Sequence, residues 1–199
     1  MKTLTFTEPN KLWFTSDTHL HHTNIIQYCN RPFKDTGHMN RSIIDNWCNV
    51  VQPDDTIIHA GDFCWGDTKM WLYFLSQLTG NIILVRGNHD RIGTIPKTHL
   101  ALVAEILNIR VVEPDNTEQR ICICHYPMLS WYQSHRGSWQ LFGHLHGKLR
   151  DPVLSEDGWD VRNKLTTKQL DIGTDCHNFT PISYYEVKKI IEENLEKSK

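Results

Sequence analysis

Ile82-Ile83-Leu84-Val85-Arg86-Gly87-Asn88-His89-Asp90 decides how the chain is read. A short apolar run bounded by polar residues is a buried strand. This one stops at a glycine followed by amide, imidazole and carboxylate side chains, all of them potential ligands. The pattern recurs along the chain. Leu12-Trp13-Phe14 precedes Asp17-Thr18-His19, and Thr56-Ile57-Ile58 precedes Gly61-Asp62. Ile121-Cys122-Ile123-Cys124 precedes His125, and Leu141-Phe142 precedes Gly143-His144-Leu145-His146. In an open α/β sheet, ligands bind just beyond the carboxyl ends of the strands. Five strand ends can therefore deliver Asp, His and Asn side chains to one crevice, with donors enough for two metal ions.

The chain between these runs alternates strands with helices, which indicates α/β architecture. A first strand pair is expected at Thr3–Phe6 and Leu12–Thr15, turned at Pro9-Asn10. A polar, histidine-rich segment follows from Leu20 to His38. An amphipathic helix is expected over Asn40–Val51, with Ile43, Ile44, Trp47 and Val51 on one face and Pro53 stopping it. A second helix over Thr68–Leu78 would bury Trp71, Leu72, Leu75 and Leu78, and Gly80 sits where a cap belongs. A third helix is expected over Lys97–Leu107, then strands at Arg110–Val112, Arg120–Cys124, Trp139–Phe142 and Gln169–Ile172. Lys148 to Lys164 reads as an exposed hairpin or loop. Ser183 with Glu186 three residues on forms a capping-box pattern for a last helix.

At 199 residues the chain suits one domain, 1–199, with a sizeable core. Hydrophobic residues make up 39% and mean hydropathy is −0.46, as in soluble globular proteins. A net charge of −2 provides no overall basic field, so long nucleic acid is not an expected partner. None of the six cysteines forms a C-x-x-C pair, which argues against a zinc ribbon or a thioredoxin-like motif. They read as reduced core or surface residues of a cytoplasmic protein. No signal-peptide core and no run of membrane-spanning length is present.

Spacing supports metal binding. Asp17 and His19, two apart on an extended segment, would point to the same side, and His144 and His146 repeat that spacing. Each pair can grip one ion or share its grip between two neighbours. Asp62 follows a glycine that lets the backbone approach closely, and its two oxygens can bridge two cations. Asn88 adds a neutral carbonyl oxygen. This donor mix suits Mn, Fe, Zn, Co or Ni rather than a thiolate site.

The ordered set Asp17/His19, Gly61/Asp62, Gly87-Asn88-His89-Asp90, His125 and Gly143-His144-x-His146 resembles the calcineurin-like metallophosphoesterase superfamily. The resemblance spans residues 12 to about 185. It implies a four-layer α/β/β/α sandwich of two mixed β-sheets flanked by helices. It implies that Asp17, His19, Asp62 and His146 hold one metal, and that Asp62, Asn88, His125 and His144 hold a second. The two divalent ions would be Mn in the first instance, with Fe, Zn, Ni, Co or Mg as alternatives. His89 would protonate the leaving oxygen or stabilise the phosphoryl transition state, and Asp90 would orient His89. Two cations about 3.5–4 Å apart lower the pKa of a bridging water and clamp the phosphoryl oxygens.

Departures narrow the substrate. Phosphoprotein phosphatases of the superfamily carry Gly-Asp-x-Val-Asp-Arg-Gly, whereas this chain has Gly61-Asp62-Phe63-Cys64-Trp65-Gly66-Asp67. Without that arginine, bidentate clamping of a dianionic monoester loses its donor. The repair-nuclease branch adds DNA-binding and capping regions for which little chain remains. The expected protein is a compact phosphodiesterase for a nucleotide or similar small diester. A nuclease on short nucleic acid, a phosphomonoesterase and a non-catalytic phosphoester-binding module are the alternatives. After His144-Leu145-His146 the chain reads Gly147-Lys148, which argues against a metallo-β-lactamase-like site.

Outside the motifs, His22 and Arg31 are candidate substrate contacts. Arg31 lies in Asn30-Arg31-Pro32-Phe33, a stretch typical of a small bacterial and phage subgroup of the family. A structural surface arginine is the plainer reading. His59 reads as a hydrogen-bonded core histidine. Trp131, Tyr132 and Trp139 are candidates for a base-stacking wall, with packing onto the core as the alternative. Asp175 follows the last strand and can approach the site.

Overall fold

The computed structural model describes residues 3–148 and 165–198, and shows two mixed five-stranded sheets flanked by helices. One sheet has the order β10-β2-β3-β4-β5, the other β1-β6-β7-β8-β9. The strands of the first are β2 (Leu12–Thr15), β3 (Thr56–His59), β4 (Asn81–Val85), β5 (Leu102–Ala104) and β10 (Ile182–Ser183). Those of the second are β1 (Thr3–Phe6), β6 (Ile106–Val112), β7 (Glu118–Cys124), β8 (Trp139–Phe142) and β9 (Gln169–Asp171).

The apolar runs are continuous because these strands are buried on both faces. Phe14, Ile58, Ile83 and Val85 face inward and meet Ile109, Ile121, Ile123 and Leu141 of the other sheet. Their neighbours Ile57, Ile82 and Leu84 face outward beneath two helices. Full burial of each such side chain contributes roughly 1.5–3 kcal/mol. The covering helices are α2 (Thr36–Val50), which buries Met39, Ile43 and Trp47, and α3 (Thr68–Leu75), which buries Trp71, Phe74 and Leu75. Each starts on an aspartate: Asp35 accepts from the His38 N–H and Asp67 from the Met70 N–H. The last helix, α4 (Tyr184–Lys197), carries the expected capping box. It adds Tyr184, Val187 and Ile191 to the core between the sheets.

Register brings the site together. β2, β3 and β4 run parallel, with Phe14 opposite Ile58 and Ile58 opposite Ile83. β7, β8 and β9 also run parallel. A bridge between Ser16 and Gly173 joins the ends of the two sheets, and the Thr174 N–H donates to the Ser16 carbonyl. The five motif-bearing strand ends therefore meet at one rim.

Three elements differ from expectation. β1 and β2 are not a hairpin: β1 pairs in parallel with β6 and β2 with β3, in different sheets. The segment expected as a helix over Lys97–Leu107 is a 3-10 turn, Lys97–His99, followed by β5 and β6. Its helix-forming residues are overridden by tertiary pairing, since Ile83 lies opposite Leu102 in one sheet and Leu107 opposite Ile123 in the other. The polar segment after Leu20 contains a short helix, α1 (Ile25–Tyr28), which was not expected. Most of the hairpin or loop expected over Lys148 to Lys164 lies outside the described residues. All six cysteines are unpaired. Among the described residues no helix is long and apolar enough to cross a membrane.

Candidate metal centre

Asp17, His19, Asp62, His144 and His146 occupy the left-handed backbone region, with φ of 56°, 47°, 58°, 72° and 50°. The two-residue pairs are thus not extended, as their spacing had suggested. Each turns through a left-handed residue just past its strand. Two loops are laced together to hold this form: the Asp17 N–H donates to the Gly61 carbonyl, the His19 N–H to Asp62 and the Leu20 N–H to Phe63.

Asp17 is completely buried, and both its oxygens accept from the His144 N–H, at 3.1 and 3.0 Å. Burial pushes its carboxyl up to about 7. Asp62 lies between two imidazoles: its Oδ2 is 3.5 Å from His19 Nε2 and 3.4 Å from His125 Nε2. Against the cost of its burial, the hydrogen bond and charge of His125 and the charge of His19 hold Asp62 well below the usual carboxylate range. His125 donates Nδ1–H to the Ala60 carbonyl at 2.8 Å, which turns Nε2 towards Asp62 and, at 3.0 Å, Asn88 Oδ1. His144 Nδ1 reaches the same Asn88 oxygen at 3.1 Å. Burial and the neighbouring His125 lower His144 to about 4.

His19 Nε2 is buried without any hydrogen-bond partner, although it points at Asp62. A buried imidazole nitrogen left unmatched is costly in a dry interior and is satisfied by a cation. Asp17, His19 and His146 bring their donor atoms within 4.8 Å of one another, as do Asp17, Asp62 and His125. The donor set is carboxylate and imidazole, so the residues present fit divalent cations.

His146 is held from behind. Its Nδ1–H donates to Asp175 at 2.8 Å, which leaves Nε2 facing Asp17 at 3.9 Å. Against burial, hydrogen bonds to Asp175 and Cys29 raise His146 to about 10. Asp175 is in turn gripped by Arg31, whose Nε and Nη2 donate at 2.8 and 2.7 Å. The remaining Arg31 donors reach the carbonyls of Thr18 and Asp17. Of the two readings of Arg31, these bonds favour the structural arginine over a substrate contact, but a buried one rather than one at the surface. It is only 4% exposed and its fork is fully engaged in the loop that carries Asp17 and His19. His59 matches its reading: fully buried, it contacts Thr18 Oγ1 and accepts from the Gly61 N–H.

Asp90 does not act as expected either. Its carboxylate accepts from the main-chain N–H groups of Asp62, Gly87 and Phe63, at 2.7, 2.9 and 3.0 Å, and so clasps the Gly61–Phe63 turn rather than the His89 ring. His89 is tied to the centre by its own N–H, donated to Asp62 Oδ1 at 2.8 Å. Its ring stands at the rim, 41% exposed, with Nε2 4.0 Å from Asp62 Oδ2. Arg86 braces the loop by a bidentate pair with Glu105, and Nη1 donates to the Asp90 carbonyl. Two glycines make the close approach possible. A Cβ on Gly87 would overlap Asp62 Oδ1, and one on Gly143 would overlap Ser16 Oγ and Asp17 Oδ2.

His22 lies beside the centre, with Nδ1 3.3 Å from Nδ1 of His19. Of the three stacking-wall candidates Trp131, Tyr132 and Trp139, Tyr132 alone is exposed. Trp131 and Trp139 are buried, Trp131 donating to the Ser138 carbonyl and Trp139 stacking near Tyr184. Exposed aromatics near the cluster include Trp65, stacked on His22, Tyr28, edge-on to His22, and Tyr126, edge-on to His144. Trp65 follows the Gly-Asp motif by three residues, and that adjacency was the one signal the sequence offered.

Two facing mixed sheets with an Asp, His and Asn cluster at their common rim define a metallophosphoesterase. The model of the calcineurin-like phosphoesterase family matches residues 10–148, and the chain belongs to that family, a family of metal-dependent phosphoester hydrolases. The chain is 31% identical over 186 residues to an uncharacterized protein of Methanocaldococcus jannaschii, covering 92% of each. It is 33% identical over 81 residues to the gene 66 protein of Mycobacterium phage L5, covering 39% of each. A crystal structure of a protein of unknown function from Aquifex aeolicus has the same fold, with a TM-score of 0.66 at 24% identity, covering 90% of this chain and 98% of that one.

Proposed function

We propose that the chain is a dinuclear phosphodiesterase acting on a nucleotide or similar small diester. Asp17, His19, Asp62 and His146 would hold one divalent cation, and Asp62, Asn88, His125 and His144 the other. Mn²⁺ is the ion of first choice for this nitrogen and oxygen donor set, with Fe, Zn, Ni, Co and Mg as alternatives. When bound, such a pair supplies an activated water at neutral pH and neutralises charge on the phosphoryl oxygens. The observation that carries the reading is the Asp62 carboxylate oxygen set between His19 Nε2 and His125 Nε2, the former buried with no other partner.

The chain's own groups do the rest. His89, rim-exposed and anchored to Asp62 through its N–H, delivers a proton to the leaving oxygen. Asp175 and Arg31 fix the His146 tautomer and ring direction. Asp90 holds the main chain of Asp62. An arginine clamp for a dianionic monoester is missing from the turn after Asp62, which favours diesters. A net charge of −2 favours small substrates over long nucleic acid. Six unpaired cysteines favour the cytoplasm.

The test is hydrolysis of bis-p-nitrophenyl phosphate beside p-nitrophenyl phosphate, on metal-stripped protein with single cations restored. Mn²⁺-dependent turnover favouring the diester, abolished in Asp62→Asn and His125→Ala, is expected. Turnover of the monoester alone moves the assignment to a phosphatase. Unchanged activity in either variant removes the proposed centre.

A further inference from the structure

Trp65 is 41% exposed, yet its ring is not loose on the surface. It lies flat on the His22 ring, with centroids 4.3 Å apart and planes 12° apart, and leans on His89 at 5.3 Å. The Trp65 main-chain N–H donates to the Leu20 carbonyl, which fixes the backbone that carries the ring. The indole lines a cavity of about 310 Å³ together with Gly66, Asp67, Asn88, His89, Arg91 and Thr94. That volume matches the lower end of small-ligand sites, roughly 300–1,000 Å³. The cavity opens directly beside Asn88 and His89, so a group attached to a phosphorus at the centre extends into it.

We infer that this cavity is the subsite for the planar ring of the substrate, a nucleobase stacked against Trp65. The inference rests on the phosphodiesterase reading and names its substrate class. An aromatic plane held rigid by a second ring offers a preformed stacking surface at little entropic cost. The polar lining suits the edge of a base. Asp67 has one carboxylate oxygen engaged with the Met70 N–H and the other available as an acceptor, and Thr94 brings a hydroxyl. The Arg91 guanidinium has no carboxylate partner among the described residues and stands at the cavity wall, where it complements an anionic ester or stacks on the ring. The stack also reaches the reacting centre, since His22 Nδ1 touches His19 Nδ1 at 3.3 Å.

The experiment measures equilibrium binding to Mn²⁺-loaded protein of a non-hydrolysable nucleoside phosphonate against the phosphonate of the bare sugar. Wild type is expected to prefer the nucleoside compound by about tenfold to a hundredfold, the range of one base stacked on an aromatic ring. Trp65→Ala should erase that preference while binding the sugar phosphonate as before, and Trp65→Phe should keep most of it. Equal affinity of wild type for both compounds overturns the inference. So does an equal loss of both in Trp65→Ala, which would make Trp65 a prop for His22 and His89. Failure of the phosphodiesterase reading registers separately, as absent diester turnover in the same preparation, while the ring preference is still read from binding.

Discussion

Five of the seven proposed ligands sit at positive φ, a conformation that costs a residue other than glycine roughly 1–2 kcal/mol. Strain of this kind persists where surrounding contacts over-determine it, and here the laced loops of Asp17–Leu20 and Gly61–Phe63 do so. His144→Gly relieves one such residue and deletes one ligand. Its metal-free stability should be unchanged or higher by about 1 kcal/mol, while Mn²⁺-dependent turnover disappears; urea denaturation beside the diester assay reads both, and a less stable apoprotein would refute the strain argument. Arg31 yields a second prediction. Removing one partner of a buried ion pair typically costs about 3–5 kcal/mol, so Arg31→Met should be strongly destabilised and bind metal more weakly. A phosphate contact would instead raise KM at constant stability. The sequence could name Arg31 and Asp175 but not pair them, because 144 residues separate them and they meet through a junction of the two sheets, where Ser16 bridges Gly173 and accepts from the Thr174 N–H.

Between elements, legibility followed locality. The strand ends, and the Asp, His and Asn side chains clustered just past them, were readable because each motif needs only its own run and the turn after it. The capping box of α4 and the N-terminal part of the site are equally local. What misled was the stretch from Lys97 to Leu107, where leucine, alanine and glutamate favour a helix. Here Glu105 alone separates β5 in one sheet from β6 in the other, and both are decided by partners elsewhere in the chain. The same blindness hid the parallel pairing of β1 with β6. Asp90 was misassigned for a related reason: its neighbour His89 was the visible partner, whereas its carboxylate bonds across to the turn after β3. The connection after β8 gives a prediction at this scale. Gly143→Ala would drive a methyl group into Ser16 and Asp17, so the β2 and β8 ends must separate. Mn²⁺ affinity should fall by tenfold or more with helix content unchanged, as calorimetric titration and circular dichroism would record. Normal metal affinity would mean that the two loops yield freely.

Across the whole molecule, buried ionisable groups make stability depend on pH and on metal together. His59 is fully buried and burial lowers it to about 3. The unfolded chain takes up that proton near 6.5, so stability from a neutral His59 is complete above that value and is lost as pH falls towards 3. Asp17 has the opposite sign in the metal-free protein. With burial raising its carboxyl to about 7, the folded state holds a proton that the unfolded chain releases near 3.8. Its contribution is present below 3.8 and lost as pH rises through 7. Between about 4 and 6.5 the two slopes oppose each other, and the apoprotein should show a flat profile there. A cation held as proposed would change this, because it would require Asp17 ionised and the His146 proton displaced from Nε2. Each displaced proton weakens binding tenfold per pH unit, about 1.4 kcal/mol, below the pKa of its group. His146, raised to about 10, contributes one proton across the neutral range, and Asp17 adds a second below 7. Saturating Mn²⁺, at a thousandfold its Kd, stabilises by about 4 kcal/mol. The rise in Tm on adding a fixed Mn²⁺ concentration should therefore be large at pH 8, shrink more steeply below 7 than above it, and vanish near pH 5. Thermal scans of metal-free and Mn²⁺-loaded protein from pH 5 to 8 would measure it. A Tm difference independent of pH would show that neither Asp17 nor His146 exchanges a proton for the cation.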